Sequence, residues 1–518
     1  MSTLAYILLA ASGGSKDSNF FLGAATGASA NSRSQDTFKF SLDPQNGGSM
    51  VHDSDGNLYF GYNTTEASTA SEGVGIAKFD KDDVSGLGSM TGLFKKVSTG
   101  GSTSLYQGIT GMSFDQYSNL VFLVRGDFDN ARNAIMKLGD RDAKDPSNWA
   151  YNKAKAKYFG DSSFTQNMYD LCFDKSIFDT FYAVGHTQAV GLGNQGLVQK
   201  WDMNNPTGTP AITWSNKWTN NSSNCEFYCC DSDDSGNLYV GGKNNNDRPI
   251  IVKFNSSGAE QWATEITNNG FSSRVRSIVS NEDGSVIIAT YQTENYGSQD
   301  SSRLKVGVLR VNGSNGAFTW NRVITKANAN QDMLGSALAL DSSDNWYMLI
   351  EGQGIDSNAS TGIISGNSSG TYRWATKMEN APLVIAANKL NTDTRGHKRW
   401  LSVSPDDSSL FFCTTSVGNQ NSINYRGMGQ VPSDGTGTSA TDFVINSSNL
   451  NFTGVNYNSV TLALETVTTT VNNATGSTST ATVGEQTSVA SQNSSDWDTT
   501  TGSGKVKNTF DEPYTSNF

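Results

Sequence analysis

Residues 53–62, DSDGNLYFGY, return as DSGNLYVGGK at 234–243 and, more loosely, as DSSDNWYMLIEG at 341–352. Each copy is a short polar turn of Asx, Ser and Gly that runs straight into aromatic and β-branched residues. Asx and Gly supply the backbone conformations of a tight turn, and the run behind them has strand character. Working outward, a turn followed by an apolar strand occurs seven times, with first apolar residues Leu58, Leu120, Phe181, Leu238, Val286, Trp346 and Leu410. The intervals are 62, 61, 57, 48, 60 and 64 residues. A recurrent period of this size, written in strands, indicates propeller blades and not a helical solenoid.

Two further elements recur inside the period. One places a basic residue before a hydrophobic one: GIAKFD at 75–80, AIMKLGD at 134–140, GLVQKWD at 196–202, PIIVKFNSSG at 249–258 and VGVLRVNGSNG at 306–316. Strand alternation sends Lys78, Lys137, Lys200, Lys253 and Arg310 to one face and their apolar neighbours to the other, which reads as a half-exposed strand. The polar triplet behind several of them supplies the next hairpin turn. The other element is a tryptophan a few residues on, at Trp149, Trp214, Trp262, Trp320 and Trp374, with Phe452 of 443–454 in its place in the last copy. With the strand leading into each turn, the unit has four strands, as a propeller blade does.

The order vKFnssGxxxW, an apolar strand, then DxxGNLYVGG resembles the repeats of seven-bladed β-propellers of the SBBP and PQQ-like type. The resemblance spans residues 36–455 and is clearest at 225–266. It implies an all-β, seven-bladed propeller and leaves function open, because propellers host unrelated activities.

The expected organisation is an extended arm over 1–35, the propeller over 36–455 and a Thr/Ser-rich arm over 456–518. The lone strand DTFKFSL at 36–42 is a candidate to pair with the last blade and close the ring. The arms lack the apolar residues that would offset their own ordering entropy. They are therefore expected to dock onto neighbouring subunits.

A formal net charge of −12, with no basic run, argues against a nucleic-acid footprint. The apolar run Leu4–Ala11 is far shorter than the roughly 20 residues that span a bilayer. No Lys or Arg precedes it, so it is read as neither membrane span nor export signal.

Few residues offer chemistry. Asp53, Asp55 and Asn57 match the opening of a calcium loop, but the closing Glu is missing and the other copies vary, so a plain turn is the expectation. His52, His186 and His397 show no metal-ligand spacing. Cys172, Cys225, Cys229, Cys230 and Cys413 form an odd, sparse set, expected reduced and buried. The vicinal pair Cys229 and Cys230 raises a quinoprotein-like disulfide, but the tryptophan-docking phrase of quinoproteins is absent. No catalytic, cofactor-binding or metal residue is assigned, and no cofactor is expected.

The function expected on this basis is a non-enzymatic structural or host-interaction subunit of a bacteriophage virion, in its tail, baseplate or fibre. Its partners would be other virion subunits and a host receptor, within a homo-oligomer or larger assembly. Loops 62–74, 186–195 and 291–303 would form the contact surfaces. The alternatives are an exported cell-surface propeller that binds glycans or proteins and, behind it, a quinone-dependent or hydrolytic propeller enzyme.

Overall fold

In the computed structural model the described residues are 19–25, much of 49–435, and the tail stretches 456–459, 463–466, 470–473, 477–480 and 497–498. All described elements are strands and all their pairings are antiparallel; no described helix is long and apolar enough to cross a membrane. The fold is a β-propeller.

Six blades are each written by four consecutive strands: over 50–98, 106–159, 165–219, 226–267, 274–325 and 334–379. The expected count of seven is therefore corrected to six contiguous blades. A further sheet closes the circle and is composite. Leu401–Val403, Ser409–Val417 and Asn424–Pro432 supply three strands, and Asn19–Ala25 from the chain's beginning pairs with Asn424–Pro432 as the fourth. The closing strand thus comes from residues 19–25. The candidate closer 36–42, and the last copy's 443–454, lie outside the described residues.

The first strand of each sheet touches the first strands of its two neighbours, all the way around. First strands therefore line the axis, and fourth strands form the rim. His52 of the first blade meets Ser402 of the closing sheet through Nδ1 and Oγ, a contact that spans the closure.

The core lies between sheets. Trp218, Phe227, Val240 and Ile250 pack with Val184 and Val198 between the third and fourth blades. Ile251, Ile287 and Leu309 do so between the fourth and fifth. A blade has a neighbour on each face, so both faces of its middle strands are interior, and Gln195–Asp202 is buried along nearly its whole length. This corrects the half-exposed reading at Lys137 and Lys200, while Lys253 and Arg310 stay partly exposed. Lys137 and Lys200 are 2% and 4% exposed and pair with Asp179 at 3.0 Å and Asp174 at 2.7 Å. A buried cation persists only when paired in this way.

Candidate functional site

Antiparallel order gives the disc two unlike ends. Turns joining first to second and third to fourth strands lie at one end, called here the turn end. Connections from second to third strands, and from one blade to the next, lie at the other, the loop end.

At the turn end the opening motif closes on itself. Asp53 Oδ1 accepts from the backbone N–H groups of Asp55 and Asn57, both at 2.9 Å. Its Oδ2 accepts from Asn57 Nδ2 at 2.9 Å and from the Tyr59 hydroxyl at 3.1 Å. Asp233 repeats this set with Ser235, Asn237 and Tyr239, and Asp341 repeats it with Ser343, Asn345 and Tyr347. The residue three after each Asp has positive φ: Gly56 at 89°, Gly236 at 72° and Asp344 at 59°. Gly adopts that conformation freely and Asp tolerates it, which explains the variation among copies. The carboxylate's lone pairs are spent on the turn's own donors, so the motif makes corners. The tyrosines are buried donors, and Tyr347 also accepts from Arg373 Nη1 at 3.0 Å; burial first, then the adjacent Asp341, pushes the Tyr347 hydroxyl up to about 12 despite Arg373.

The basic residue and the tryptophan converge on the next blade's second turn. Trp214 Nε1 and Lys200 Nζ both donate to the Ser256 carbonyl at 3.2 Å. Lys253 and Trp262 share the Gly313 carbonyl at 2.9 and 3.1 Å, and Arg310 and Trp320 share that of Ser368 at 2.9 and 2.8 Å. Trp374 reaches Ser433 of the closing sheet at 3.1 Å. Gly316, at φ 74°, lies so close to the Trp262 ring that a Cβ would overlap it. Sequence reasoning found these residues but not that they clasp consecutive blades.

The loop end is built differently. First strands carry a β-bulge near that end, with register breaks at Ile109/Gly111, Met168/Asp170, Phe227/Cys229, Val275/Ser277 and Gly335/Ala337. Each break leaves one residue outside the ladder: Thr110, Tyr169, Tyr228, Arg276 and Ser336. Bulges of this kind re-aim side chains and are frequent beside functional sites. Here Tyr169 and Tyr228 of adjacent blades meet with ring centroids 5.5 Å apart. Arg125 lies over the Tyr169 ring at 5.8 Å and Arg274 over the Tyr228 ring at 5.6 Å, within cation–π range.

Behind this aromatic pair sits Glu226. Its oxygens accept from Tyr228 OH at 2.7 Å and Asn194 Nδ2 at 2.8 Å, with Lys243 Nζ at 3.6 Å and His186 Nδ1 at 3.8 Å. His186 Nε2 lies 3.0 Å from Asn167 Nδ2. Burial pushes the Glu226 carboxyl up, but the charges of His186 and Lys243 and the two hydrogen bonds outweigh it, and the group titrates below its ordinary value.

Of the histidines, His186 is thus part of this cluster, His52 serves the closure, and His397 lies outside the described residues. Burial outweighs the adjacent Asp53 and holds the His52 imidazole below its ordinary value. Cys229 and Cys230 are buried and not joined in a disulfide, and face opposite sides of their strand. Cys230 packs toward the third blade and Cys229 toward the fifth. Among the described residues no three His, Cys, Asp or Glu side chains are placed to hold a metal. The loops expected to make contacts, 62–74, 186–195 and 291–303, all join second to third strands and so belong to the loop end; large parts of them lie outside the described residues.

No family model matches the chain and no curated protein does. Solved structures give remote likenesses. A GH93 α-L-arabinofuranosidase of Fusarium graminearum, in complex with arabinobiose, is 10% identical over 62% of this chain and 93% of its own, with a TM-score of 0.37. The SapL1 lectin, in complex with α-methyl fucoside, is 11% identical over 63% and 96%, at 0.30. Pseudomonas fluorescens PhoX, in complex with vanadate, is 10% identical over 81% and 96%, at 0.33. No activity is read across from any of them.

Proposed function

We propose that this chain is a non-enzymatic binding and structural platform, set in a bacteriophage virion as a tail, baseplate or fibre subunit, that engages its partners through the loop end. The observation that carries the binding reading is the bulged aromatic pair, Tyr169 and Tyr228, capped by Arg125 and Arg274. The two rings are buried, at 5% and 2% exposure, and they hold the guanidiniums of the partly exposed Arg125 and Arg274 in fixed positions, a cationic surface suited to recognition. A binding role is favoured over an acid–base one because Glu226, the carboxylate at the site, is engaged by four partners. A general acid or base needs reach to a substrate proton instead.

The virion setting is supported by the sequence: sparse charge and Asn/Ser/Thr/Gly-rich β structure. The SBBP and PQQ-like repeat type is carried with this reading on the motif order of 225–266. Mass spectrometry of the native particle or cell fraction that holds the chain tests the setting. Co-purification with capsid and tail proteins is expected. A chain found only among envelope proteins, trimmed near Ser12, would replace this reading with that of an exported surface binder.

A further inference from the structure

The Thr/Ser-rich tail was expected to reach other subunits, yet its described strands pair with the chain's own rim. Asn456–Ser459 adds a fifth strand to the sixth blade, Ala463–Thr466 to the fifth, Thr470–Asn473 to the fourth and Ser477–Thr480 to the third. Trp497–Asp498 pairs with Lys95–Ser98 of the first. The tail therefore runs around the rim against the order of the blades.

Its first four stations are evenly ruled. Four-residue strands begin at 456, 463, 470 and 477, a step of seven, with three residues between them. The register is the same each time. Ser459, Thr466, Asn473 and Thr480 stand opposite Thr376, Arg322, Thr264 and Asn216, each two residues beyond the clasp residues Trp374, Trp320, Trp262 and Trp214. The second position of each station, Tyr457, Leu464, Val471 and Thr478, stands opposite Met378, Ile324, Ile266 and Trp218, so the sequence puts an apolar or β-branched residue there each time. Directly opposed residues share a sheet face, and Ile324, Ile266 and Trp218 are buried.

We infer that the propeller rim is a strand-binding surface whose occupant is the chain's own residues 456–480, held in place by a linker length matched to the distance between blades. An unpaired outer strand is a template for pairing with another chain, and this belt fills that template in cis. Three linker residues give four Cα steps between stations, about 14 Å at full extension. Packed sheets stand about 10 Å apart, and two steps would reach only about 7 Å. The step is thus long enough to cross to the next blade and too short to skip one.

Deleting Val467 and Thr468 from the full chain tests this. Amides of the outer strands Glu260–Thr267 and Ala211–Thr219, downstream of the deletion, should exchange with solvent at least tenfold faster, while Tyr372–Glu379 keeps its parent rate. Replacing the same two residues by Ser, which preserves length, should leave all three strands unchanged. Parent-like exchange in the deletion variant, or equal loss in the Ser variant, would overturn the inference. Should the deletion variant not fold, the pair Thr264→Cys and Asn473→Cys decides the matter. An intrachain disulfide is expected; no disulfide, or one only between two copies, refutes a belt in cis.

Discussion

The turn end and the loop end of the disc are made from the same strands, yet they spend their polar groups in opposite ways. At the turn end the copies close on themselves: Asp53, Asp233 and Asp341 each satisfy their own turn, and Trp214, Trp262 and Trp320, each with a Lys or Arg, hold the next blade's carbonyl. At the loop end five first strands bulge, and the residue released changes around the ring: Thr110, Tyr169, Tyr228, Arg276 and Ser336. A repeated polar network satisfied within the chain makes architecture. A one-off cluster carrying buried titratable groups is where recognition is looked for.

The contrast can be broken first at its strongest point. Trp320→Ala removes a ring that is 7% exposed and both of its roles, packing and the bond to Ser368. It should lower stability by about 3–5 kcal/mol, as buried Trp truncations do, in denaturant unfolding, with the site of the folded fraction intact. Asp233→Ala should cost about 1–3 kcal/mol, because Asn237 and Tyr239 lose a buried acceptor. Asp283→Ala, at an exposed turn position, should leave the midpoint where it was.

Acid should act on the closure and the loop end together. His52 has a folded-state pKa below its ordinary 6.5, so the unfolded chain takes up its proton first; stability present above pH 6.5 is lost as pH falls toward the folded value. Glu226, also depressed, adds a second loss below its ordinary 4.5. His52→Gln should flatten the upper step of a stability–pH curve and leave the lower one. Arg274→Gln, at a partly exposed cap, is expected to change stability by no more than about 0.5 kcal/mol. The same variant should lose retention on the native target fraction, and full retention would count against the proposed site.

The turn end was legible in the sequence because its chemistry is local. Asp53 and Tyr59 sit six residues apart, and the copies announce themselves by repetition. Even there the key Asp of the second copy is Asp233, one residue before the stretch that first draws the eye. The loop end was not legible, since Tyr169, Tyr228 and Arg274 come from three blades and a bulge leaves no mark in composition. The contiguous seventh copy failed for a related reason: its fourth strand lies some four hundred residues away, at Asn19–Ala25. The tail did carry a signal, the seven-residue recurrence from Tyr457 to Thr478, hidden by a composition that otherwise reads as unstructured.

Hydrogen exchange compared between the isolated chain and the same chain in its native particle or fraction addresses the division of labour most directly. Slowed exchange at Asn244–Arg248 and 193–195, with Asp233–Asn237 and Asn255–Ala259 unchanged, is the result predicted for a molecule that builds at one end and binds at the other. Protection appearing at the turn end, with the loop end unaltered, would contradict it.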